Sequence, residues 1–196
     1  MARTKNAASL DTRQRILDAA LDQFHFRGYN GTSVQDIMDA AGSPKGTFYN
    51  HFSSKQDLAV EALRLYAGNI GLESLAGPTV GSPLERIDKH LAHIVGLGLA
   101  VFAERGCLMA NLAGEVPAHS QVVASALGAY LDGWVTNLAA LIDEAKEAGE
   151  LTTDIASTDL AEFIVAAFEG GAVKAKATSS AEPIVRFQRT VAQLLH

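Results

Sequence analysis

Apolar residues recur along this chain at the three- and four-residue spacing of helices, and nowhere do they alternate as a strand requires. Ile16, Ala20 and Phe24 form one stripe with Leu17 and Leu21 beside it, which predicts a helix from about Thr12 to Arg27, ended by Gly28. Val34, Ile37 and Ala41, at i, i+3 and i+7, predict a short second helix. The helix opened by Ser53 carries Leu58, Ala62, Leu65 and Tyr66 and runs to about Asn69. Further on, Ser82-Pro83-Leu84-Glu85 combines an N-cap, a proline at the first helical position and a capping-box glutamate, opening a helix to about Arg105. A short helix follows from Cys107 to Val116. Val123, Leu127, Leu131, Trp134, Leu138, Leu141 and Ile142 mark a long helix from Ser120 to Ala148. Leu160, Phe163, Ile164, Ala167, Phe168 and Val173 mark another, and Ile184, Phe187, Val191, Leu194 and Leu195 the last. The expected fold class is all-α, with about nine helices.

The segment from Ser33 to Phe52 carries the most specific signal. Ser33 caps the second helix and Asp36, three residues on, completes a capping box. Gly42 supplies the positive φ that ends a helix, and Ser43-Pro44 restarts one. In this next helix Lys45, Gly46, Thr47 and Asn50 face outward, Phe48 and Phe52 face inward, and Tyr49 and His51 lie on the flanks, within reach of phosphate. Gly46 costs about 1 kcal/mol against alanine in a helix interior, yet it lets a backbone or base edge come close. Lys55 is a cation in a helix's first turn, locally unfavourable unless it meets an external anion. These features describe a helix-turn-helix that binds DNA; a generic helical hairpin with a solvated lysine is the plainer alternative.

In this order the residues resemble the DNA-binding domain of the TetR family of transcriptional regulators. The match runs from Thr12 to Leu58 through Arg15 to Ala20, Phe24, Gly28-Tyr29, Thr32-Ser33-Val34, Ile37, Ala41-Gly42, Lys45 to Tyr49, His51-Phe52, Ser54-Lys55 and Leu58. The resemblance implies a homodimer on a palindromic operator, released when a small molecule enters the second domain, and a repressor rather than an activator. It implies a DNA-binding domain over residues 1–52 and a ligand-binding and dimerisation domain over 53–196. The DNA-facing set is then Thr32, Ser33, Lys45, Gly46, Thr47, Tyr49, Asn50, His51 and Lys55. The last two helices are expected to pair across a two-fold axis as a four-helix bundle. Gly170-Gly171 there allows close helix approach or simple small-residue packing.

Charge supports this division. The net charge of −6 argues against nucleic acid, but through Tyr66 the chain has eight basic and seven acidic residues, and the remainder has eight and fifteen. Arg3, Lys5 and Arg13 form a basic arm that follows a groove or stays solvated. The first fifteen residues contain no apolar core of the kind a signal peptide needs, and the apolar run Ile94 to Ala103 is too short for a bilayer and reads as a buried helix, so a cytoplasmic protein is expected. The clearest break is Glu73 to Pro83, with Gly77-Pro78.

In the second domain, Gly106 to Glu115 and Phe168 to Lys176 resemble one subgroup of the family, in some members of which the cysteine senses oxidants or electrophiles. Cys107, the single cysteine, lies at a helix start beside Arg105, which favours thiolate; the alternative is a small buried hydrophobe. Phe102, Cys107, Met109, Tyr130, Trp134 and Phe168 are candidates to line an apolar effector site, with Asn111, His93 and Glu115 as its polar groups, or are plain core. His90 and His93 share a face but lack a third ligand, and no metal or cofactor is expected. No nucleophile motif, phosphate loop or evident carboxylate pair supports an enzyme. A DNA-binding protein without an effector is the remaining alternative.

Overall fold

In a computed structural model of the chain, residues 2–75 and 80–196 are described, without the side chains of residues 2–9, 73 and 74. Among the described residues every regular element is helical: α1 (Ala2–Arg27), α2 (Val34–Ala40), a 3-10 helix (Lys45–Asn50), α3 (Lys55–Asn69) and a 3-10 turn (Leu72–Leu75). There follow α4 (Pro83–Gly96), α5 (Leu99–Arg105), α6 (Leu108–Ala113), a 3-10 turn (Val116–Ala118), α7 (Gln121–Glu147), α8 (Ser157–Thr178) and α9 (Glu182–Leu195). No single helix among these residues is long and apolar enough to cross a membrane. The Gly77-Pro78 break and the side chains of Arg3 and Lys5 lie outside the described residues.

Contacts divide the chain into one unit of Met1–Tyr66 with Asn111–Leu127 and another of Ala67–Ala110 with Gly128–His196. This division differs from a boundary at 52/53, because the first turns of α3 belong with the DNA-binding helices. Leu58, Ala59, Ala62 and Leu63 are buried, Glu61 pairs with the Arg13 guanidinium, and Tyr66 meets the His25 ring edge-on at 5.6 Å. Arg13 also lies 4.8 Å from the centre of the Phe52 ring, so it is part of the folded unit and not of a free basic arm. The core of this unit is Ile16, Leu17, Ala20, Phe24, Ile37, Met38, Phe48 and Phe52. Val34, expected on the apolar stripe of α2, is only half-buried, and Met38 at i+4 completes the stripe with Ile37 and Ala41.

The second unit is built around a chain of rings. Phe168 on α8 packs edge-on against Phe102 of α5 at 5.5 Å, Trp134 of α7 at 5.6 Å and Phe187 of α9 at 5.5 Å. The helix expected from Pro83 to Arg105 is broken: Gly98 adopts φ 124°, a backbone that side-chain-bearing residues rarely take, and this separates α4 from α5. As a result the apolar run from Ile94 is not a buried helix, since Leu97 and Val101 are exposed. Ser82 caps α4 as its sequence dictates, with its Oγ accepting from the Glu85 amide and its own amide donating to Glu85 Oε2 at 3.1 Å. Ser82→Ala should therefore cost about 1 kcal/mol of stability, read as a shifted midpoint in chemical denaturation with an unchanged slope.

Candidate nucleic-acid interface and effector site

The turn of the helix-turn-helix is closed by backbone bonds, and the Arg15 guanidinium adds a bond to Ala41 O at 3.1 Å. Gly42 takes φ 61°, its amide donates to Asp39 O at 3.1 Å, and the Ser43 amide donates to Met38 O at 3.0 Å. These are the paired bonds of a Schellman motif. Pro44, extended at φ −62° and ψ 141°, then starts a helix that is 3-10 and six residues long, where the sequence pattern alone suggested an ordinary α-helix. Inside it Phe48 is fully buried, against Phe52 at 5.9 Å and Tyr49 at 5.1 Å. Outside it Lys45, Gly46, Tyr49 and Asn50 are exposed, with Thr47 and His51 half-buried at the edge. A Cβ added at Gly46 would meet nothing within 4 Å, so the protein itself does not require glycine there.

Three residues of the DNA-facing set are engaged within the domain. Thr32 is 1% exposed and its hydroxyl donates to Gly28 O at 2.8 Å, so its side chain is a brace of the α1–α2 turn and is not available to DNA. Ser33 lies at the surface, but its hydroxyl caps α2 by accepting from the Asp36 amide and donating to the Asp36 carboxylate. Those bonds from Ser33, together with Arg27 at 3.6 Å, hold the Asp36 carboxyl below its usual range. Lys55 does not project to an outside anion. Its Nζ donates to Tyr29 O at 2.6 Å and lies 4.1 Å from the centre of the Tyr29 ring. Burial lowers its affinity for the proton, against the opposing pull of Glu115 and Asp36.

The effector candidates separate. Phe102, Met109, Trp134 and Phe168 are buried in the second unit, and Tyr130 and Trp134 line a cavity of about 140 Å³ with Leu72 and Asn137. Asn111 and Glu115 instead belong to the first unit, where the Asn111 amide donates to His25 O at 3.4 Å and Glu115 accepts from the Asn30 amide, apart from the unit that holds the aromatic candidates. His93 Nε2 donates to Asn69 O at 2.9 Å. His90 is buried, accepts from Trp134 Nε1 at 2.9 Å and is lowered to about 4 by burial and by neighbouring His93. No group of three or more metal-ligating side chains occurs among the described residues.

Cys107 has no exposed surface, and its thiol donates to Glu169 Oε1 at 3.3 Å. The sulfur is thus enclosed against the Glu169 carboxyl, whereas a reactive cysteine is exposed to solvent. Glu169 is the residue sequence reasoning missed: its Oε2 is buried without a partner, and burial pushes its carboxyl up to about 7 despite bonds from Cys107 and the Ala110 backbone. Sixty-two residues separate the pair, and no local pattern signals it.

The outer faces of α8 and α9 leave apolar surface open. Phe163 is 53% exposed, Val173 51% and Leu194 40%, beside a groove of about 530 Å³ lined by Phe163, Gly170, Lys174, Arg186 and Thr190. Phe168, Phe187 and Val191, on the same two helices, are buried within the unit. At Gly171 a Cβ would make ordinary contact with Ile184 Cδ1 at 3.4 Å, so the approach of α8 to α9 does not require glycine there, and Gly170 faces open space.

A short helix that buries one ring and exposes polar side chains on its other face, braced by two helices, defines the helix-turn-helix class. Two family descriptions match this chain: bacterial regulatory proteins of the tetR family over residues 16–62, and the tetracyclin repressor-like C-terminal domain over residues 83–191. The chain belongs to the TetR family. It is 31% identical to the HTH-type transcriptional repressor DhaR of Mycobacterium sp. (strain GP1), over 96% of this chain and 94% of that protein. A regulatory protein TetR from Rhodobacter sphaeroides superposes with a TM-score of 0.82 at 29% identity, covering 93% of this chain and 98% of that one. The reduced form of NemR from E. coli does so with a TM-score of 0.82 at 26% identity, covering 95% and 97%.

The two buried titrating groups have opposite effects on stability. Between about 4.5 and 7 folded Glu169 keeps a proton that the unfolded chain has released. Its contribution is therefore complete below pH 4.5 and lost as pH rises through 7, by roughly 3 kcal/mol. Unfolded His90 takes up a proton near 6.5 that the folded protein refuses until about 4, so its contribution falls on acidification over that range. Glu169→Gln should gain stability relative to the wild type as pH rises from 4.5 to 7, whatever the shape of the parent profile. Paired denaturant melts across that range check the difference.

Proposed function

We propose that this chain is a transcriptional repressor that binds a palindromic operator as a homodimer and is released by a small molecule bound in its second unit. The observation that carries this reading is the Lys45–Asn50 helix: its only fully buried side chain is Phe48, and its polar side chains face out. A helix of six residues exposes a face of the width the major groove accepts, and Lys45 and Asn50 have the donor chemistry that reads base edges. DhaR and NemR, both described as repressors, favour repression over activation. The cavity beside Tyr130 and Trp134 is smaller than the roughly 300–1,000 Å³ of drug-sized pockets, which favours an effector of few heavy atoms. The enclosed Cys107, bonded to Glu169, favours non-covalent binding over attack on an electrophile. Dimerisation through α8 and α9 is supported by the apolar surface around Phe163, Val173 and Leu194.

Lys45→Ala should lose affinity at particular operator base pairs, by roughly 1 to 3 kcal/mol per half-site, with other positions unaffected. Binding titrations against an operator substituted one base pair at a time test this, and uniform weakening would assign Lys45 to the phosphate backbone. Phe163→Glu should yield folded monomers that bind the palindrome poorly, because Phe163 is exposed in the single chain and its loss leaves the core intact. Sedimentation of an unaltered dimer would move the interface elsewhere.

A further inference from the structure

The turn joining α1 to α2 has three consecutive residues, each with a backbone group held by a side chain from a different part of the chain. Thr32 Oγ1 donates to Gly28 O at 2.8 Å, Lys55 Nζ donates to Tyr29 O at 2.6 Å, and the Asn30 amide donates to Glu115 Oε2 at 2.9 Å. The first two side chains come from the helix-turn-helix region itself. Glu115 comes from the segment after α6, 85 residues further along the chain.

The fit around that carboxylate is close. Gly28 adopts φ 76°, and a Cβ built on it would lie 2.0 Å from Glu115 Oε1 and 2.8 Å from Cδ. The positive φ favours glycine at this position, and any side chain there would push the Glu115 carboxylate out of its place. Glu115 also acts electrostatically on Lys55, so an anion and a cation hold neighbouring peptides of one turn. On the same segment, Asn111 donates to His25 O at 3.4 Å, which gives the segment a second hold on the end of α1. The turn leads directly into Ser33, the cap of α2, and so fixes where the helix-turn-helix begins.

We propose that Glu115 is a positioning residue for DNA binding: through its bond to the Asn30 amide, the segment from Asn111 to Leu127 sets the placement of α2 and of the DNA-reading helix. This inference rests on the DNA-binding reading above and names how that binding is controlled.

The test uses the full-length chain and two readouts, at a temperature where every variant is folded. Glu115→Ala should speed hydrogen exchange of the Asn30 amide at least tenfold and weaken operator binding about tenfold, with the dimer unchanged by sedimentation. Glu115→Gln keeps an acceptor for that amide and should retain most of both. Gly28→Ala, which displaces the carboxylate, should behave like Glu115→Ala. Operator affinity within twofold of wild type in Glu115→Ala would overturn the proposal, whether or not exchange at Asn30 changes. Exchange is read without DNA and reports the hold alone. A wild-type chain that binds no DNA would overturn the DNA-binding reading and this role with it, while leaving the measured hold in place.

Discussion

A six-residue 3-10 helix has too few internal hydrogen bonds to keep its own shape in water, so everything this protein presents to DNA depends on what holds Lys45–Asn50 from behind. Phe48 is that hold. Its ring is fully buried, beside Phe52 at 5.9 Å and Tyr49 at 5.1 Å. At about 25 cal/mol per Å² of apolar surface, burial of one such ring outweighs the weak helical preference of a segment containing glycine and threonine. The polar face is thus oriented by an apolar one, and the Schellman turn at Gly42 fixes the angle at which it is offered.

Much of this was legible in the sequence because the signals are local. Ser33 with Asp36, the turn at Gly42, and Ser82 with Glu85 are caps and turns written within a few residues, and the structure forms each of them, whereas Ser43 does not cap the next helix, whose N-cap is Pro44 without a side-chain bond. The buried stripes of α1 and α7 follow the apolar periodicity, as does that of α9 except for Leu194, which is exposed. What could not be read was pairing across distance. Lys55 looked like a cation waiting for phosphate because its partner, the Tyr29 carbonyl, is invisible in a linear pattern. Thr32 looked exposed because nothing nearby shows that Gly28 O needs a donor. Glu115 and Asn111 were assigned to a ligand site by their place in the second half of the chain, whereas contacts return that segment to the first unit. Similarly, Gly98 was one glycine in an apolar run until its φ of 124° showed that the helix ends there.

The second unit carries a different tension. Its rings pack edge-on in sequence from Phe102 through Phe168 to Trp134 and Phe187, an arrangement that satisfies the ring quadrupoles and excludes water. Into this dry interior the chain places an imidazole and a carboxyl, each with one buried atom that has no partner. Burial favours the neutral form of both, lowering His90's affinity for the proton and raising that of Glu169. Buried polar atoms that lack partners destabilise the unit that contains them and favour any guest able to supply the missing bond.

The enclosure of Cys107 has a practical side as well. The chain has a single thiol, and the fold hides it completely. The folded surface therefore offers no native site for maleimide dyes or spin labels under brief, non-denaturing conditions. A cysteine introduced on an exposed helical position would be labelled selectively in the otherwise natural protein, and distances between two such probes could be followed by fluorescence or by electron resonance without first stripping the native residue from the core.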